Sequence, residues 1–100
     1  MMSKLGLLVR FEAKAGKEKA VEELITSALS LAVKEAFTTT WYAFRINKST
    51  FGIYDTFQNE EGRKSHLGGQ IAHALMSNAP ELLVAAPVIE PLDVLAVKAA

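Results

Sequence analysis

Two histidines, His66 and His73, lie seven positions apart in the stretch FGIYDTFQNEEGRKSHLGGQIAHALM, positions 51–76. Asp55 precedes them, set between Tyr54 and Phe57. An imidazole titrates near neutral pH, and a carboxylate can orient or charge it, so proton transfer is the first chemistry to weigh. On one unbroken helix the two histidines would lie on a similar face, but Gly68-Gly69 interrupts the segment between them. A catalytic metal usually takes three protein ligands, and the HExxH pattern is absent. Asp55 or Glu61 could complete such a set only if the fold brought it near, so no metal is expected. His66 has two readings. It is either a partly buried histidine bonded to backbone or a carboxylate, or a proton handler lining a cavity. His73, between Ala72 and Ala74, reads as structural.

Asp55 shares its strand face with Phe51, Ile53 and Phe57. An acid among apolar groups must be paired or hydrogen-bonded, or its pKa rises. Arg45 on the neighbouring strand and Arg63 on the following helix are the expected salt-bridge partners. The functional alternative makes Asp55 a base or anchor at a cavity mouth. Trp41, Tyr42, Phe44, Tyr54 and Phe57 concentrate aromatic surface in the same region. They fill either a core or dimer interface, or a pocket for a flat aromatic ligand. No dinucleotide-binding, Walker or nucleophile-elbow motif is present.

The elements that must position these residues follow from periodicity. Leu5, Leu7, Val9, Phe11 and Ala13 alternate over 4–13, which predicts a strand. Val21, Leu24, Ile25, Ala28 and Ala32 recur at helical spacing over 17–36. Strands are expected at 39–47 and 50–57, joined as a hairpin by Asn47-Lys48-Ser49. Asn59 caps a short helix reaching Leu67, with Glu60 and Glu61 in its first turn. A second helical piece runs from Gln70 to Asn78, and Pro80 opens a further turn. The last segment, VIEPLDVLAVKA, is a strand with Pro91 at an edge or bend, and 94–98 is its firmer part. The order β-α-β-β-α-β predicts an α+β, ferredoxin-like fold with an antiparallel sheet, one domain over 1–100. Both faces of the hairpin carry large apolar side chains. Helices can cover one, and a second subunit or a ligand cavity is expected over the other.

Composition narrows the functional classes. Lys+Arg and Asp+Glu both number 11, which gives no basic excess for gripping phosphates. Nucleic-acid binding is therefore not expected. The absence of cysteine excludes disulfides, a thiolate nucleophile and zinc sites built on sulfur, and fits a cytoplasmic protein. MMSKLGLLVR lacks a signal-peptide pattern, and no apolar run is long enough for a membrane span.

With these elements in order, the chain resembles the antibiotic biosynthesis monooxygenase (ABM) domain family over nearly its whole length. The likeness lies in LLVRFEAKAGKEKAVEEL, in FGIYDTFQNEEGRKSHL and in the closing PVIEPLDVLAVK. In the family, an acid stands two residues before an aromatic, followed by a polar turn and a helix bearing histidine. Asp55, Phe57 and His66 occupy those positions, with Asp55 where glutamate is usual and Phe57 where tryptophan is common. The resemblance implies a homodimer whose two sheets pack into an α+β barrel. It also implies oxygenation of an aromatic or quinol-type substrate without metal, flavin or other cofactor. His66 and Asp55 are then the expected catalytic residues, and Trp41, Tyr54, Phe57 and Arg45 the expected substrate pocket. The alternative on the same fold is a non-catalytic dimeric protein that binds a small hydrophobic molecule or serves in stress.

Overall fold

Alternating apolar residues make β1 of Leu5–Glu12, burying Leu7, Val9 and Phe11 on one face. The structure, a computed structural model, describes residues 4–98. The elements that follow are α1 (Glu18–Ser27), α2 (Leu29–Lys34), β2 (Thr38–Arg45) and β3 (Thr50–Phe57). After them come α3 (Glu60–Leu67), α4 (Gln70–Leu82) and β4 (Val88–Asp93). The strands form one antiparallel sheet in the order β2-β3-β1-β4. This is the expected α+β ferredoxin-like topology, with each helical layer split in two.

The splits have local causes. Thr26 and Ser27 turn their hydroxyls back onto the carbonyls of Glu22 and Leu24, which competes with regular helix geometry. The expected helix over 17–36 is therefore interrupted at Ala28, whose N–H reaches Ile25. Gly68-Gly69 separates α3 from α4 as expected. Pro80 does not begin a new turn. It lies in the last part of α4, where its missing N–H costs one helical bond and the helix still reaches Leu82.

The closing strand differs more. Its paired portion is Val88–Asp93, and residues 94–98 lie outside the ladder. Among the described residues the ladder ends at the start of β1. Leu5 faces Asp93, and Val94 donates to Lys4 as the last bond. Pro91 is tolerated because β4 is an edge strand.

Val21, Ile25, Leu75, Ala79 and Leu82 from α1 and α4 pack with Val9, Phe11, Phe51 and Ile53 of the sheet. Ala28, Ala32 and Ile71 form a second cluster, and Trp41 packs against both. The opposite sheet face carries Leu8, Tyr42, Phe44, Tyr54 and Leu92. There Tyr42 and Tyr54 stack at 6.2 Å, and Tyr42 remains 58% exposed. Phe44 lies over Gly52 so closely that a Cβ there would sit 2.4 Å from the ring.

Candidate functional site

Three elements distant in sequence converge under the helical layer. β3 turns Asp55 to the core face, between Ile53 and Phe57. α3 supplies His66, and Glu35 follows the last residue of α2. The phase of α3 is set at its start, where Asn59 accepts from the Gly62 N–H at 2.9 Å. Gly62 then lets the helix approach the chain ahead of β2. A Cβ at that position would lie 3.1 Å from the Phe37 carbonyl oxygen.

His66 Nδ1 lies 2.8 Å from Glu35 Oε1, and Nε2 lies 2.8 Å from Asp55 Oδ2. Glu35 Oε1 also accepts from the Thr38 hydroxyl at 2.7 Å. The imidazole is thus clamped between two carboxylates, with the Phe57 ring 5.2 Å from its own. Asp55 is fully buried, and its Oδ1 has no hydrogen-bond partner. The Nε2 contact is an ion pair by distance, but its alignment falls short of a good hydrogen bond.

Burial draws the His66 pKa down. The contact and charge of Asp55, and then those of Glu35, outweigh burial and raise it above the ordinary histidine value. The geometry demands this direction. Both ring nitrogens face carboxylate oxygens, and only the imidazolium donates from both.

Asp55 therefore pairs with neither arginine expected for it. Register explains the first case. Trp41 stands opposite Asp55, whereas Arg45 stands opposite Phe51, four residues and roughly 13 Å further along the strand. Arg45 instead pairs with Glu22 and lies over the Phe51 ring at 5.3 Å. Arg63 pairs with Glu60 at 2.7 Å and reaches the carbonyls of Gly6 and Leu92. It ties α3 to the sheet rather than neutralising Asp55.

Among the expected site residues, His66, Asp55 and Phe57 come together, with Trp41 across from Asp55 on the same face. The indole Nε1 of Trp41 is buried without a partner. Tyr54 lies on the opposite sheet face against Tyr42. Arg45 lines a separate cleft with Phe51 and Glu22. His73 is exposed on α4, so the histidines do not converge. Among the described residues, no group of three or more His, Asp or Glu side chains is arranged to hold a metal ion. Glu35 was not anticipated. Its signal was available, since it is the one acidic residue between Glu23 and Asp55.

Two clefts meet at Thr38 and Thr39. One, of about 480 Å³, runs between Ala36–Thr39 and Gln58–Ser65. The other, of about 270 Å³, is lined by Leu29, Ala32, Val33, Glu35 and Thr38–Trp41. Neither is lined by His66 or Asp55. Glu35 is thus the member of the cluster that borders a cleft.

No protein-family model and no curated protein matches the chain. Solved structures do. The NE2512 protein of Nitrosomonas europaea, of unknown function, is 50% identical over 99% of this chain and 96% of its own, with a TM-score of 0.96. PA3566 of Pseudomonas aeruginosa has a TM-score of 0.81 at 18% identity, covering 96% of this chain and 98% of its own. A Caulobacter crescentus protein, provisionally named an antibiotic biosynthesis monooxygenase, has a TM-score of 0.79 at 18% identity. That match covers 94% of this chain and 92% of the other. The chain therefore belongs to the family of the Nitrosomonas europaea protein, and its fold is the one found in proteins named as antibiotic biosynthesis monooxygenases.

Proposed function

We propose that the protein is a homodimeric, cofactor-independent monooxygenase acting on an electron-rich aromatic of the quinol or phenol type. One observation carries this reading: a buried imidazole held between two carboxylates, one of which borders a cleft. A phenolate gives up electrons to oxygen far more readily than the phenol, so the protein's task is to take and hold the hydroxyl proton. For a phenol with a free para C–H, the balance is phenol plus O2 giving para-quinone plus water. The O–H and the para C–H break, one oxygen atom enters the ring as a carbonyl, and the other leaves as water. The substrate supplies all four electrons. The neutral fraction of His66 takes the proton, and Asp55 stabilises the imidazolium that results, the division of labour seen wherever a carboxylate backs a catalytic histidine.

The sheet face bearing Leu8, Phe44, Tyr42 and Tyr54 supports the homodimer, since a second copy would cover apolar surface left open in the single chain. The activity is tested by oxygen uptake with a panel of quinols and naphthols, corrected for autoxidation, in parent and His66→Gln. Removal of a positioned acid–base group costs about 10²–10⁴-fold. Equal uptake in the two proteins, both folded by circular dichroism, removes His66 from the reaction.

A different observation favours the second reading, a non-catalytic dimeric binding protein. Both nitrogens of His66 are already occupied, and the cluster joins α2, α3 and β3 as a structural tie would. On that reading ligands bind without oxygen uptake, and His66→Gln lowers stability alone.

A further inference from the structure

We propose that the cleft between α2 and the start of β2 is the ligand site, and that Glu35 is the residue that meets the ligand's hydroxyl. This rests on the reading above, because it names the site at which that chemistry would occur. Two observations point to the same place. The first is the wiring of Glu35. Its Oε1 receives the Thr38 hydroxyl and His66 Nδ1, while Oε2 takes no hydrogen bond among the described residues. Behind it the chain of contacts continues through Nε2 to the fully buried Asp55. When the imidazole is neutral with its proton on Nε2, a proton accepted by Glu35 therefore has a direct path to Nδ1, with no ligand touching the ring.

The second observation is the rim. Leu29 and Val33 stand one turn apart on α2, 52% and 76% exposed, and both line the cleft. The fold gives them nothing to cover, since α2 meets the core through Leu31 and Ala32. The opposite wall is Thr38, Thr39 and Thr40, with Trp41 at its end. An apolar wall, a hydroxyl-bearing wall and a carboxylate backed by the His66 imidazole suit a small flat molecule with one acidic hydroxyl. A volume of about 270 Å³ suits one or two rings, slightly below the roughly 300–1,000 Å³ typical of drug-sized sites.

Trp41 is the one tryptophan of the chain, so its indole N–H gives a single resonance that reports on this cleft. The test is a titration of ¹⁵N-labelled full-length protein with 1-naphthol and, separately, with 1-methoxynaphthalene, which lacks the donor. Naphthol is expected to shift the Trp41 indole signal and the amides of 29–41 to saturation, with the methoxy compound about tenfold weaker or worse. Glu35→Gln should bring the two ligands to similar affinity. Val33→Arg, at an exposed position, should block both while leaving the remaining spectrum intact. Saturating shifts confined to Tyr42 and Tyr54, or unchanged naphthol binding in both variants, overturn the assignment. The same samples in an oxygen electrode separate the two claims. Binding in the cleft without uptake retains the site and removes the oxygenase. Uptake that survives Val33→Arg retains the oxygenase and removes the site.

Discussion

His66 couples stability to pH in a direction fixed by its surroundings. Its folded pKa is raised, so the stabilisation it brings is complete below the unfolded value of about 6.5 and is lost as pH rises through the folded value. Urea unfolding should therefore show a midpoint that falls as pH rises above about 6.5, and His66→Ala should remove that dependence. The same variant leaves Asp55 buried without a cation, which costs about 3–5 kcal/mol for a broken buried pair. The Asp55–His66 contact was half legible in the sequence. An acid between Ile53 and Phe57 has to have a partner, and the same stretch of sequence carries an imidazole. Arginine was the expected partner because charge suggests it, whereas strand register and helix phase decided the matter. Glu35 escaped notice because a lone acid at a helix end looks solvated until the chain folds back over it.

At the scale of elements, the position of His66 depends on how α3 starts. Asn59→Ala removes the cap on Gly62 and should cost about 1 kcal/mol. It should also broaden the His66 imidazole resonance, because the ring is held two turns downstream of that cap. Gly62→Val is harsher, since its side chain meets the Phe37 backbone rather than a movable side chain. It should lower the thermal midpoint and shift the His66 titration toward the ordinary histidine range. The four strands, their order and the glycine break between α3 and α4 were readable from periodicity and punctuation. The extent of the last strand was not. VLAVK has strand-like alternation, yet a strand needs a neighbour, and among the described residues the ladder ends with Leu5 opposite Asp93. The interruption at Ala28 was equally hidden, because hydroxyls that bend a helix leave its apolar stripe unchanged.

For the molecule as a whole, the two faces of the sheet have separate duties. The helix-covered face holds the titrating cluster, and the other presents Tyr42, Tyr54 and Phe44. Tyr42→Asp with Tyr54→Asp should convert a dimer to a monomer in sedimentation. The His66 titration should stay where it is, because no residue of the cluster lies on that face. If the double variant sediments as the parent does, the open face is not the dimer interface. No helix of the described residues is long and apolar enough to cross a membrane.

The clamp on His66 also bears on the order in which the chain can assemble. Residues 35, 55 and 66 belong to separate elements, and none can be buried alone without stranding a charge or an imidazole. The helical layer cannot cover Asp55 without stranding its charge unless α3 brings His66 to it. Burial of Asp55 and docking of α3 are thereby coupled, and docking is favoured when the arriving histidine carries its proton.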